Sequence, residues 1–269
     1  MSFLERNIVK LGSYLLPQSI GIRLAKAVLA TQGIGWAGPK GGVYTSGEFD
    51  FLKRFLANIS NPIVFDVGAN TGDYTVCCIE TNANSVVHCF EPSKSHRERF
   101  INNDALVKGI SSNKVFLNAF GLSDVEENGV LYKDEEITGL ASLTKRNLDY
   151  ANIDFTIKED VHLKKGDDYI FKNKIKNIDL LKIDVEGWEM SVLKGMERAF
   201  EMKVIKVCQF EFAHGHIERR ENFRDFYNFF LKHGYSMGMI KPNGKVNMID
   251  SYNEFLEHYF ATNYLAFSK

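Results

Sequence analysis

The sequence predicts a doubly wound α/β fold, a parallel sheet with a late antiparallel strand. Three observations predict it. Ile63-Val64-Phe65-Asp66-Val67 is a β-branched and aromatic run that ends at Gly68-Ala69-Asn70-Thr71-Gly72 and passes into a helix-compatible stretch. That is strand, tight turn and helix start. Residues 178–183 are apolar apart from Asp179 and Lys182, as a strand buried on both faces must be. Strand-like and helix-like segments then alternate along the chain at the spacing of parallel crossovers.

The 269 residues suffice for one large α/β domain, and 45% hydrophobic with 25% charged residues is ordinary globular composition. A net charge of −1 argues against a nucleic-acid partner held by bulk electrostatics. Cys77, Cys78, Cys89 and Cys208 form no C-x-x-C and lie in apolar segments, so they read as reduced core thiols, with a cytoplasmic location expected. No apolar run reaches transmembrane length. Glu5, Arg6, Lys10, Arg23 and Lys26, scattered through the first segment, argue against a cleavable signal.

Residues 3–16 and 19–30 show helical amphipathicity, with Pro17 between them. They are expected to form a helical cap on the domain, or else a weak peripheral membrane or dimer contact. Six glycines within 31–47 mark a loop, so residues 1–47 are taken as the cap and its loop and 48–269 as the main domain. A helix is expected at 49–56. Strands follow at 85–90 and 115–119, with a charged helix between them to about residue 103. Residues 126–177 are irregular, with short strands at 130–132, 155–157 and 161–163, and suggest an exposed insertion or a substrate-facing arm. A helix over 188–198, a strand over 204–212 and an aromatic helix over 223–233 come next. Strands 235–240 and 246–249 flank the Pro242-Asn243-Gly244 turn, and 263–267 closes the sheet.

In such a sheet ligands bind beyond the C-terminal strand ends. The acids there are Asp66, Glu91, Asp124, Asp184 and Glu211. The Gly68–Gly72 turn is neither G-x-G-x-x-G nor followed by Gly-Lys-Ser/Thr, so it advertises no pyrophosphate cradle. An adenosine ligand with a charged, phosphate-free tail suits it better, and S-adenosylmethionine is the common one. Gly68, flanked by Asp66 and Asn70, permits close backbone approach, and Asp66 can face a cationic amino group directly or through water. Glu91, 19 residues after Gly72, stands where an acid accepts ribose hydroxyls. Asp124, in the Gly121-Leu122-Ser123-Asp124 turn, either contacts adenine or is only a turn residue.

Phe65-Asp66-Val67-Gly68-Ala69-Asn70, Phe90-Glu91-Pro92, Lys182-Ile183-Asp184-Val185-Glu186-Gly187 and Leu193-Lys194-Gly195, in that order and spacing, resemble the FkbM family of S-adenosylmethionine-dependent methyltransferases over roughly residues 60–212. The resemblance implies a class I methyltransferase sheet, Rossmann-like, of seven strands with the last inserted antiparallel. It implies O-methylation of sugars, glycans or secondary metabolites. It puts Asp66, Gly68 and Asn70 at the methionine end of the cofactor, Glu91 at the ribose, and Ser123 with Asp124 at the adenine. An acceptor hydroxyl needs a base or a metal to become nucleophilic. Asp184 and Glu211 should end neighbouring strands and could hold Mg²⁺; otherwise Glu186, Glu211 or His214 is the base. The competing readings are a nicotinamide-dependent oxidoreductase on the same sheet, and a non-catalytic module binding a glycan or partner.

Overall fold

A computed structural model describes residues 2–36 and 42–269. Eleven strands occur among them. They are β1 (Ile63–Val67), β2 (Val86–Phe90), β3 (Val115–Asn118), β4 (Gly121–Leu122), β5 (Glu127–Lys133), β6 (Ile157–Lys164), β7 (Ile178–Ile183), β8 (Ile205–Phe212), β9 (Tyr235–Ile240), β10 (Val246–Ile249) and β11 (Thr262–Ser268). The main sheet runs β10-β9-β11-β8-β7-β1-β2-β3. Its β1, β2, β3, β7 and β8 pair in parallel. The last strand, β11, is inserted antiparallel between β8 and β9. That is the expected sheet with eight strands instead of seven. The extra one, β10, forms a hairpin with β9 across Pro242-Asn243-Gly244 and takes the edge.

Side-chain alternation along the strands sends residues to two faces, each covered by helices. Phe65 and Val67 of β1, Leu181 and Ile183 of β7, and Phe210 and Phe212 of β8 join the core under helix Phe223–Lys232. There Phe226 stacks on Phe210 with centroids 5.2 Å apart. Val64, Leu180 and Val207 join the opposite core under helices Glu48–Leu56 and Asp73–Thr81. Every residue of β7 is buried, so its two charges need partners. Asp179 accepts from the Ile63 amide at 2.9 Å and pairs with Lys206 at 2.7 Å. Lys182 is carried to the functional end of the sheet.

The segment 126–177 is more regular than its sequence suggests. β4, β6 and β5 form a second sheet, and helix Gly166–Lys172 returns the chain to β7. The two short strands expected at 155–157 and 161–163 are one strand, β6. Its inward position Glu159 breaks the apolar pattern because Lys133 of β5 reaches it at 2.9 Å. The helix expected to about residue 103 is two, Lys94–Phe100 and Asp104–Ser111. The one over 188–198 is also two, Glu189–Lys194 and Glu197–Glu201. They part at Gly195, where a Cβ would lie 2.0 Å from the Ser123 carbonyl.

Helices Phe3–Leu15 and Gln18–Thr31 form where expected, but neither buries a residue, so they are not a packed cap. Only Leu29, in the last turn, leans on the core. Gly33 then seats the chain against the Ile240 carbonyl at φ +95°. Part of the expected glycine loop, residues 37–41, lies outside the described residues.

Candidate functional site

A cavity of about 510 Å³ opens at the C-terminal ends of β2, β1, β7 and β8, a volume suited to a nucleoside-sized ligand. Strand register sets its far walls. Val67 pairs with Phe90 and Ile183 with Phe210, so Gly68 meets Glu91 at one end, and Asp184 meets Glu211 at the other. Three strand spacings separate β2 from β8, about 14 Å.

At the first end the chain turns through Gly68 at φ +79° and Asn70 at φ +46°. A Cβ on Gly68 would lie 1.9 Å from the Asp184 carbonyl, so this glycine is required by the packing of the β1 and β7 loops as well as by ligand approach. Glu91 is 4% exposed and lines the cavity. Its Oε2 accepts from the Asn70 amide at 2.8 Å and its Oε1 from the Ser93 amide at 2.8 Å, with His96 Nδ1 at 3.4 Å. A carboxylate has about four acceptor sites, so lone pairs remain for a ligand. Thr138, from the second-sheet segment, closes over this turn. Its carbonyl accepts from Asn70 Nδ2 at 2.9 Å and its amide donates to His96 Nε2 at 3.3 Å.

Asp66 is not on the cavity wall. It is fully buried, its Oδ2 accepts from Thr75 Oγ1 at 2.7 Å, and Lys182 Nζ is 3.6 Å from its Oδ1. Asp66 thus faces Thr75 and Lys182 inside the protein, so of the contact expected with a cationic amino group, directly or through water, the direct form is not open to it. Lys182 lines the cavity and pairs with Asp184 at 3.3 Å. Burial works against its ammonium, but Asp184, Asp66 and Glu48 outweigh burial and raise its pKa. Ser123 and Asp124 also miss the cavity. β3 ends at Asn118 and the chain enters the second sheet at Gly121, so Gly121 and Leu122 reach the wall. Ser123 sits behind Trp188, accepting from its Nε1 at 3.0 Å and donating to Asp124 at 3.1 Å.

The other end gathers Asp184, Glu186, Glu211 and His214 as expected. Carboxylate oxygens of Asp184, Glu186 and Glu211 lie within 4.8 Å of one another. Glu186, in left-handed backbone at φ +55°, is pushed up to about 7 by burial and by Asp184, with Arg146 pulling it back. Burial, then Asp184 and Glu186, raises Glu211 well above the usual carboxylate range. Among the described residues nothing donates to the Glu211 carboxylate. Burial, with Arg146 nearby, lowers His214 and keeps it neutral near pH 7.

Four further residues shape the site. Arg146, 3% exposed, donates to Glu186 Oε2 at 2.7 Å and to the Leu140 carbonyl, and its Nη1 is 3.4 Å from His214 Nε2. Glu189 clamps the Asp184–Gly187 loop by accepting from the Val185 and Gly187 amides, both at 2.9 Å, and is itself backed by His216 at 3.1 Å. Glu48 lines the cavity and accepts from Gln209 Nε2 at 2.6 Å. A lysine inside an apolar strand and an acid opening the helix after Gly187 are readable signals for Lys182 and Glu189. Arg146 and Glu48 carry none, because only the fold brings them near.

The arrangement is a doubly wound α/β sheet with a nucleoside-sized pocket at its strand ends and a crowded acidic end. The FkbM methyltransferase domain matches residues 66–237, well over half of the chain, and the chain belongs to that family. The chain is 29% identical over 171 residues to methyltransferase sdnD of Sordaria araneosa, covering 53% of this chain and 63% of that protein. It is 26% identical over 164 residues to the hexuronic acid methyltransferase AglP of Haloferax volcanii, covering 58% of this chain and 59% of that protein. The chain thus spans about three fifths of the curated relatives it matches. An FkbM methyltransferase structure from Methylobacillus flagellatus aligns with a TM-score of 0.49 at 16% identity, over 77% of this chain and 44% of that one.

Proposed function

We propose that this chain is an S-adenosylmethionine-dependent O-methyltransferase whose acceptor is a hydroxyl on a sugar, glycan or small metabolite. One observation carries the reading. A single cavity joins a carboxylate held for hydroxyl recognition, Glu91, to an acidic cluster about 14 Å away across the strand ends. Family membership supports methyl transfer, and the relative named for hexuronic acid favours a sugar acceptor.

When bound, S-adenosylmethionine supplies a methyl carbon on a cationic sulfur. The chain's residues do the rest. Glu91 holds the ribose hydroxyls, and the Gly68 turn admits the ligand backbone closely. The acidic end favours a cation, and the buried lysine–carboxylate set keeps that end fixed before ligand arrives. Glu211 takes the acceptor proton on a carboxylate oxygen. It has no competing donor, and a positive charge placed beside it reverses part of the effect of its acidic neighbours. Glu186 and His214 orient the acceptor with Arg146 between them.

The same acids are candidates for a divalent ion. Lys182 on Asp184 and Arg146 on Glu186 already neutralise two of the three, which favours metal-free base catalysis. The test is transfer of label from S-adenosylmethionine to a panel of hydroxylated acceptors, with and without chelator, beside calorimetry with S-adenosylhomocysteine and NAD. Binding of NAD and not S-adenosylhomocysteine would assign the pocket to an oxidoreductase. Activity lost to chelator and restored by Mg²⁺ would move the acids to metal ligation.

A further inference from the structure

Helices Phe3–Leu15 and Gln18–Thr31 present apolar surface that the domain does not use. Leu4, Ile8, Leu11 and Leu15 form one stripe on the first, and Leu11 is 62% exposed. Beside the stripe Tyr14 is 80% exposed. On the second helix Ile20, Leu24 and Val28 line an exposed stripe, and Leu29 alone turns inward. A solvent-facing helix of 13 or 14 residues without tertiary packing is marginal in water, so such a pair needs a partner.

Charge says which partner. Residues 2–31 carry Arg6, Lys10, Arg23 and Lys26 against Glu5 alone, a net +3. The whole chain is −1, so the remainder is −4. The cations sit off the apolar stripes, the pattern of a helix lying in a membrane interface. A second copy fits less well. The first stripe holds only two heptads, short of the three to four a coiled coil needs, and two +3 segments repel each other. No helix among the described residues is long and apolar enough to cross a membrane, so insertion would be in the surface plane.

The pair is also placed to matter. It joins the domain at Gly33, against the Ile240 carbonyl at the end of β9, and at Gly35, whose amide donates to Thr262 Oγ1 at 3.1 Å. That is the same sheet edge as the cavity, whose wall includes Val43, Ala261 and Asn263. We propose that residues 3–31 are an interfacial anchor for an anionic lipid surface, holding the pocket-bearing edge of the domain near the bilayer.

The test is sedimentation of the full chain with vesicles of phosphatidylcholine alone and of phosphatidylcholine with phosphatidylglycerol at about three to one. Binding is expected to the anionic vesicles only and to weaken with salt. Arg23→Gln with Lys26→Gln should cut partitioning about tenfold or more, and Ile8→Glu with Leu11→Glu at least as much. Because these side chains bury nothing, both double variants should keep the wild-type melting temperature and S-adenosylhomocysteine affinity. No binding, or equal binding to neutral vesicles, overturns the proposal. A dimer in sedimentation equilibrium that Leu11→Glu dissociates, with no vesicle binding, overturns it in favour of a second copy.

Discussion

The two ends of the pocket are built differently. At the donor end of the proposed site Glu91 is held by the Asn70 and Ser93 amides and by His96, within about one strand–helix unit of itself. At the acceptor end the groups come from distant segments. Arg146 reaches 40 residues to Glu186 and 68 to His214, and Ser142 Oγ reaches 44 to the Glu186 carbonyl at 2.7 Å. The donor end satisfies Glu91 with neutral amides. The other end crowds acids of like sign in a buried space, which pushes Glu186 up to about 7 and raises Glu211 well above the usual carboxylate range. Under the proposed function, the Glu91 carboxylate is held by neighbours in the chain and the acidic cluster by distant ones, and substitutions should separate recognition from chemistry.

The largest effect should follow Glu211→Gln. If Glu211 is the base, methyl transfer falls about 10²- to 10⁴-fold while S-adenosylhomocysteine affinity, measured by calorimetry, changes little. A variant that keeps most of its turnover would pass the role to Glu186 or His214. The converse probe is Glu91→Ala, which removes charge-linked acceptors worth about 1.5–3 kcal/mol. S-adenosylhomocysteine affinity should fall roughly ten- to a hundredfold in a protein that still folds; unchanged affinity would end the ribose assignment.

Arg146→Gln should act on the acceptor end alone. Losing the guanidinium lets burial and Asp184 push Glu186 above its present value of about 7. Because Glu186 orients the acceptor as a carboxylate in the proposed reading, the pH at which it ionises should then move higher and carry the rising limb of the pH–rate profile with it, with acceptor kcat/KM down about tenfold and donor affinity intact. A drop in rate with an unmoved pH profile would make Arg146 a packing residue only.

A smaller, opposite effect concerns stability. The folded pKa of Glu211 is raised above the unfolded 4.5, so its contribution is fully present below that value and is lost as pH rises through the folded pKa. Glu211→Gln should therefore melt higher than wild type at pH 8, by about 2–4 °C for each kcal/mol of repulsion relieved, and equal to it at pH 4. Equal melting at both pH values would show that the acids do not strain the fold. The smallest effect should be that of Asp124→Ala. Its carboxylate meets Ser123 and not the cavity, so donor affinity should stay within about twofold. A tenfold loss would restore it as an adenine contact.

Much of this was readable from the chain. The order of strand and helix signals gave the parallel sheet and its antiparallel closing strand. Glu91 and Asp184, each just past a buried strand, reached the pocket because the end of the strand leaves such a residue little choice of direction, and Glu211 reaches it from the last turn of the pleat inside β8. The same logic failed at Asp66, which is still inside β1, and at Ser123 and Asp124, which follow the departure of the chain into the second sheet. The charged strands β5 and β6 hid their alternation, since an ion pair, Lys133 with Glu159, replaced the apolar contact that sequence periodicity detects.

The sequence by itself determined the fold class, the glycine turn after β1 and the acids at or next to the strand ends, because these depend on neighbours a few residues away and on the repeat of strand and helix. Only the tertiary structure decided that Lys182 stands between Asp66 and Asp184, that Arg146 crosses from the second sheet to Glu186, and that the first two helices leave their apolar faces uncovered. Those outcomes depend on which distant segments share space, and a pKa or an exposed stripe is a property of that shared space.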